Sequence, residues 1–103
     1  MQLTAYHRLF ENARAMLKAG REARWDDLTQ LEAEREGYLS EVRQAVVIST
    51  KPSDIKACME LIQSILECDE QTKTLLRSRQ DELSEVLGSM DNARKLKNAY
   101  RSA

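Results

Sequence analysis

Residues 52–100 read PSDIKACMELIQSILECDEQTKTLLRSRQDELSEVLGSMDNARKLKNAY, a stretch with no proline after Pro52 and with Gly88 as its one glycine. Apolar side chains recur in it at steps of three and four residues. Such steps place side chains on one side of an α-helix, whereas a strand requires strict alternation. We therefore predict one long helix over residues 54–100.

The ends of this segment carry helix-terminal signals. Ser53 follows the proline and can cap the first exposed amides, and Asp54 suits the positive end of the helix dipole. Basic residues favour the negative end, and four occur there: Arg94, Lys95, Lys97 and Arg101. A helix of about 45 residues is roughly 65–70 Å long, which is longer than a small globular protein needs.

Composition restricts the class of protein. The chain has 103 residues with a net charge of -1, 32% charged residues and 5% aromatic residues, which favours an all-α bundle or coiled coil and gives no strong field for nucleic acid. No apolar run approaches the 18 residues of a membrane span, and the N-terminus lacks the apolar core of a secretory signal. We expect a cytoplasmic protein without stable membrane insertion.

Two shorter helices precede the long one. A first helix is predicted over 3–19, with a seam at Leu3, Tyr6, Phe10, Ala13 and Leu17. Gly20 is its predicted stop, because glycine readily takes the left-handed conformation that ends helices. A second helix is predicted over 25–48, with a seam at Leu28, Leu31, Arg35, Tyr38, Val42 and Ala45. Residues 49–53 form the predicted loop.

Two residues in the second helix stand out. Arg35 interrupts the apolar seam, so its stem packs while its guanidinium reaches the edge, or it pairs with a carboxylate. Gly37 lowers helix stability by about 1 kcal/mol relative to alanine and suggests a close approach by another element.

Short connections favour antiparallel neighbours, so we predict a helical hairpin packed on the long third helix within a single domain, residues 1–103. The second helix is long enough to cover the third helix only to about residues 76–79. Residues 82–100 then project about 25–30 Å past the hairpin and still carry apolar side chains. An uncovered apolar stripe indicates a missing partner.

A candidate partner-binding surface follows from this mismatch. We predict a groove flanked by Ile62, Leu66 and Leu76, with Tyr38 or Val42 opposite, that accepts an amphipathic helix. Leu83 and Leu87 extend the apolar surface, and Tyr100 adds an aromatic anchor near its distal end. The alternative is a homo-oligomeric coiled-coil module, in which the distal part of helix three pairs with its own copy. The sequence leaves monomer and dimer open.

The sequence contains no recognisable set of catalytic residues. His7 is the only histidine and has no clear orienting carboxylate, and neither Cys58 nor Cys68 has a basic neighbour that would plainly activate it. The cysteines are ten residues apart on one predicted helix, too far for a disulfide. We expect no enzyme, metal or cofactor. Dipole compensation and solubility explain the basic cluster near residue 100, with contact to a phosphate or an acidic partner as the alternative.

Several segments resemble the FliT family of flagellar type III export chaperones. Leu17-Lys18-Ala19-Gly20, then Trp25-Asp26-Asp27-Leu28, Glu32, Tyr38 and Leu39, resemble the family's first hairpin. Leu75-Leu76-Arg77-Ser78-Arg79-Gln80-Asp81-Glu82-Leu83 and Leu87-Gly88 resemble its third helix, and Lys97-Asn98-Ala99-Tyr100 resembles its closing signature. The likeness covers essentially the whole chain.

This resemblance implies a cytoplasmic helical chaperone that binds the C-terminal part of the filament-cap protein FliD, prevents its premature assembly and delivers it to the export machinery. Some family members also contact export-gate and ATPase components or the flagellar master transcriptional regulator. Family members typically continue into a fourth, regulatory helix, which the sequence ending at Ala103 does not contain. Either the chain is truncated or this member lacks that helix.

Overall fold

The computed structural model describes residues 3–45 and 51–102, which form three α-helices: α1 at Thr4–Arg21, α2 at Trp25–Gln44 and α3 at Pro52–Ser102. Within those ranges there is no strand. The predicted all-α architecture of a hairpin and a long third helix is confirmed. The chain divides into two compact units, residues 1–73 and 74–103. That it is a single domain stays a prediction.

The core of the first unit consists of two small apolar clusters. Leu9, Ala13 and Ile65 form one, against which Tyr38, Val42 and other half-buried side chains pack. The second cluster joins the loop end of α1 to the start of α2 and contains Met16, Ala19 and Leu28. Because Ala13 and Ala19 are the most deeply buried of these residues, the helices approach closely at positions with small side chains.

Polar contacts connect each pair of helices in the first unit. Asn12 Nδ2 of α1 donates to the carbonyl oxygen of Leu31 in α2 at 2.9 Å. Arg21 donates to Gln71 Oε1 at 2.6 Å and so ties α1 to α3. The buried Oδ1 of Asn12 has no partner among the described residues. Hydrogen-bond geometry therefore fixes the register of the helices as well as apolar packing does.

The end of α1 corrects the prediction for Gly20, which is buried inside the helix and has no positive φ. Ala23 takes the left-handed conformation instead, with a φ of 55°. The amide of Ala23 donates to the oxygen of Gly20 at 3.2 Å, and the amide of Arg24 to that of Ala19 at 2.8 Å. These two bonds form a Schellman motif, which usually has glycine where Ala23 stands.

The start of α3 also differs from the prediction. The helix begins at Pro52, and Ser53 lies within its first turn rather than at the cap. Proline is suited to the first helical position, because its fixed φ is helical and its missing N–H needs no partner there. The amides of Asp54 and Ile55 donate to the oxygen of Lys51. The helix α2 ends at Gln44, and predicted helical positions 46–48 lie outside the described residues.

The predictions made for Arg35 and Gly37 of α2 have different outcomes. Arg35 pairs with a carboxylate, that of Asp69 in α3, which was one of the two predicted alternatives. The close approach predicted at Gly37 is wrong, since nothing lies within 4 Å of the position that its Cβ would occupy. Gly37 is therefore an exposed helical glycine without a packing role.

The second unit consists of the part of α3 from Thr74 onward. Every side chain described from Gln80 to Arg101 is exposed. Gly88 has open space around it, as Gly37 has. This unit therefore presents its apolar residues on the surface.

Candidate partner-binding surfaces

Two rows of apolar side chains run along α3 in the first unit. The inner row steps by three and four residues, is buried or half-buried, and contains Cys58, Leu61, Ile65, Cys68 and Thr72. The outer row also steps by four and three and contains Ile55, Met59, Ile62 and Leu66. At 100° per residue the two rows lie about 100° apart around the helix. The hairpin covers the inner row and leaves the outer row free.

The outer row is a continuous apolar surface. Its exposed fractions range from 41% at Ile62 to 65% at Met59, with 53% at Leu66. Ile55 and Met59 line a groove along the first turns of α3, whose rim carries Lys56, Glu60 and Gln63. An apolar patch rimmed by polar residues is typical of a protein-binding site.

Tyr38 and Val42, predicted as the opposite wall of the groove, lie half-buried in the first unit and pack against the cluster of Leu9, Ala13 and Ile65. Tyr38 also lines a groove of about 580 Å³ between α1 and α2. Both side chains therefore contribute to the core. The groove predicted between them and the outer row stays a prediction.

The second unit carries the other predicted contact residues, and all four are exposed. Leu76 is 37% exposed, Leu83 49%, Leu87 65% and Tyr100 79%. Leu83 and Leu87 share a row with Met90. A second row, roughly 110° away around the helix, contains Ala93, Leu96 and Tyr100. The distal part of α3 thus presents two apolar rows of its own.

Among the residues that the structure describes, five large exposed apolar ones were absent from the predicted site: Ile55, Met59, Val86, Met90 and Leu96. Helical spacing alone could not separate Ile55 and Met59 from the core, because inner and outer rows both step by three and four. Counting the sequence in heptads would have separated the rows. It would not have shown which row the hairpin covers.

The candidate reactive residues His7 and Cys68 have surroundings typical of surface and packing side chains. His7 is exposed on the rim of the groove between α1 and α2. Cys68 is half-buried, and burial, followed by the negative charge of Asp69, raises the pKa of its thiol. A raised pKa keeps the thiol protonated and weakly nucleophilic. This supports the interpretation of Cys68 as a packing residue.

Neither a metal site nor a membrane span is found among the described residues. They contain no group of three or more His, Cys, Asp or Glu side chains able to hold a metal ion. Nor does any helix in the described ranges have an apolar stretch long enough to cross a bilayer.

Comparison with known proteins gives one consistent result. The sequence profile of the family described as "Flagellar protein FliT" matches residues 3–102. A flagellar protein FliT of Photorhabdus laumondii is 26% identical over 99 residues, which cover 95% of this chain and 79% of the relative. The corresponding protein of Serratia proteamaculans is 26% identical over 102 residues, covering 95% and 81%. That of Dickeya chrysanthemi is 29% identical over 94 residues, covering 90% and 76%. No solved structure matches the chain significantly.

Proposed function

The chain belongs to the FliT family of flagellar proteins, and on that basis we propose that it is a flagellar type III export chaperone. Its cargo is the C-terminal region of the filament-cap protein FliD, which it binds in the cytoplasm, keeps from premature assembly and delivers to the export apparatus. The observation that carries this proposal is the set of exposed apolar side chains on α3, present in each of the two units.

The proposed mechanism is capture of an amphipathic cargo helix. In the first unit, the outer row offers Ile62 and Leu66 beside Met59, and the hairpin behind it holds the inner row in place. A helix that lays its apolar face on such a row buries leucine-sized side chains at steps of three and four. Each fully buried side chain of this size contributes about 1.5–3 kcal/mol, so a few of them are sufficient for specific binding.

The second unit supports the same function with a different set of side chains. Leu83 and Leu87 are about half or more exposed, and Tyr100 is the most exposed of the large apolar residues. Aromatic side chains with a polar tip are frequent anchors at interfaces. We propose that Leu76, Leu83, Leu87 and Tyr100 bind cargo. Export-gate and ATPase components, and the flagellar master transcriptional regulator, are further proposed partners.

One observation favours a second candidate function. The side chains from Gln80 to Arg101 are all exposed, so the apolar rows of this segment would also be buried if it paired with its own copy. In that case the chain is a homo-oligomeric coiled-coil module. Light-scattering mass after gel filtration separates the two functions. The chaperone predicts a 1:1 complex with the C-terminal FliD segment, and the module predicts a stable dimer that ignores it.

Substitutions test the surface itself. We expect Leu66→Asp and Leu83→Asp to remain folded, because both side chains are exposed, and to weaken binding of the FliD segment at least tenfold, about 1.4 kcal/mol each. Ser53→Asp and Ser84→Asp are the matched controls. They add the same charge to exposed positions of α3 away from the apolar rows, and should bind normally. Wild-type affinity in both leucine variants would contradict the proposed surface.

A further inference from the structure

We propose that the last turns of α3 bind a helix whose apolar face is bordered on one side by acidic side chains. The inference rests on the proposed function, because it specifies the chemistry of the partner at the distal end of α3. The side chains that carry it all belong to the second unit.

Three cations form a row on this part of α3. Arg94, Lys97 and Arg101 are exposed and follow one another at steps of three and four, so they lie on one side of the helix. The fourth cation, Lys95, points elsewhere around the helix and pairs with Asp91 at 3.3 Å. Within the part of the chain that the structure describes, Arg94, Lys97 and Arg101 form no ion pair.

An apolar row lies beside this basic row. It contains Ala93, Leu96 and Tyr100, of which Leu96 is 61% and Tyr100 79% exposed. From the helical rise and turn, the apolar and basic rows are about 100° apart. A partner helix that packs on the apolar row therefore brings the residues at one edge of its own apolar face next to the three cations, as in the flanking ion pairs of coiled coils.

Compensation of the helix dipole does not account for this basic row. The effect of the dipole falls off within the last turn of a helix, and of the three cations only Arg101 lies in the last turn of α3. Arg94 is two turns further back. Arg94 instead lies beside the apolar row, where a partner helix that packs on that row would meet it.

The chemistry favours an acidic helix over a lipid surface. The apolar row is one residue wide, and Asp91, Asn92 and Asn98 lie close to it in sequence. An interfacial membrane helix has a broad apolar face and a strongly basic polar face, whereas a single row with cations on one edge matches one partner helix. The net charge of the chain is -1, so no overall field favours an anionic membrane.

The test uses two labelled synthetic peptides of about 21 residues, each three heptads with leucine at the core positions. One carries glutamate and the other glutamine at the flanking positions. Fluorescence anisotropy with the full chain should show the glutamate peptide binding about tenfold more tightly at roughly 0.1 M salt, with the preference falling as salt increases. The triple variant Arg94→Gln, Lys97→Gln, Arg101→Gln should lose the preference.

A matched triple variant, Arg14→Gln, Lys18→Gln, Arg43→Gln, removes three exposed cations from the first unit and should keep the preference. Far-ultraviolet circular dichroism of both variants checks that the helices are intact. Equal affinity for the two peptides overturns the inference, as does a preference that survives in the distal triple variant. Sedimentation with anionic vesicles that depends on the same cations, and that the glutamate peptide does not compete, also overturns it.

The failure of this inference can be distinguished from the failure of the chaperone proposal. If the distal triple variant binds the C-terminal FliD segment as the native chain does and shows no peptide preference, the acidic-partner inference fails and the chaperone proposal stands. If the native chain ignores the FliD segment but prefers the glutamate peptide, the chaperone proposal fails. The binding chemistry of the distal helix is then supported on its own.

Discussion

Arg35 of α2 holds the carboxylate of Asp69 in α3 by two hydrogen bonds, 2.9 Å from Nη1 to Oδ1 and 2.7 Å from Nη2 to Oδ2. The side chains are only 18% and 25% exposed. A bidentate pair with this little solvent contact fixes the orientation of two helices, since both hydrogen bonds form only in one arrangement. Asp69 immediately follows Cys68 of the inner row, so the pair lies at the edge of the core.

Loss of this pair should destabilise the first unit. Arg35→Met keeps an apolar stem but leaves the carboxylate of Asp69 without its partner, so we expect a loss of about 1–2 kcal/mol in the free energy of unfolding. Arg8→Met is the matched control. Arg8 pairs with Glu41 at 3.1 Å with side chains 57% and 43% exposed, and its loss should cost under about 1 kcal/mol. Equal losses in urea titrations would show that partial burial does not strengthen the Arg35–Asp69 pair.

Replacing Ala23, the residue in the left-handed conformation after α1, should raise stability rather than lower it. Ala23 has a φ of 55°, which strains a residue with a Cβ, so Ala23→Gly should stabilise the chain by about 1 kcal/mol. Ala33→Gly makes the same change in the middle of α2, at an exposed helical position. It should destabilise by about 1 kcal/mol. Thermal unfolding of both variants shows whether each substitution raises or lowers stability. A lower stability of Ala23→Gly would contradict the inferred backbone strain at Ala23.

The two exposed helical glycines should be replaceable. A Cβ at Gly37 or Gly88 meets nothing within 4 Å, so alanine adds no clash and removes backbone freedom from the unfolded chain. Gly37→Ala should raise the free energy of unfolding by about 0.5–1 kcal/mol.

Gly88 lies in the second unit, where local opening of the helix is the relevant equilibrium. We expect Gly88→Ala to slow amide hydrogen exchange in residues 84–92 severalfold while the urea midpoint of the first unit stays unchanged. Unchanged exchange rates would show that Gly88 does not limit helix stability.

Alanine substitutions of the neighbouring residues Ile65 and Leu66 on α3 should lower stability by very different amounts. Ile65 belongs to the inner row and is 6% exposed, whereas Leu66 belongs to the outer row and is 53% exposed. Ile65→Ala should cost about 2–4 kcal/mol of stability, and Leu66→Ala under about 1 kcal/mol. Binding of the FliD segment should respond in the reverse order, provided that Ile65→Ala is measured below its unfolding temperature. Similar stability losses would mean that the outer row is covered in solution.

Parts of the fold were predictable because they depend on local chemistry. Apolar spacing identified the three helices, and the family resemblance found in the sequence is confirmed by the match over residues 3–102. The exact ends of the helices were harder to predict. Gly20 carries a strong stop signal, yet it is buried within α1, because close packing of small residues there outweighs its preference for a turn.

The candidate site was predictable only in part. Leu83, Leu87 and Tyr100 were expected to be uncovered, and all three are exposed. Tyr38 and Val42, expected opposite the outer row, pack half-buried against the core cluster of the first unit, and the groove between them and that row stays a prediction. A half-buried position and a partner-facing position have the same helical spacing, so the sequence pattern could not distinguish them.

The sequence by itself determined that the chain is helical, where its helices lie approximately, and which residues are apolar enough to need cover. These properties follow from backbone propensity and periodicity, which act over a few residues. Only the tertiary structure decided which row of α3 the hairpin buries and which carboxylate Arg35 holds. Those choices depend on contacts between residues more than 30 positions apart in the chain, and no local pattern encodes them.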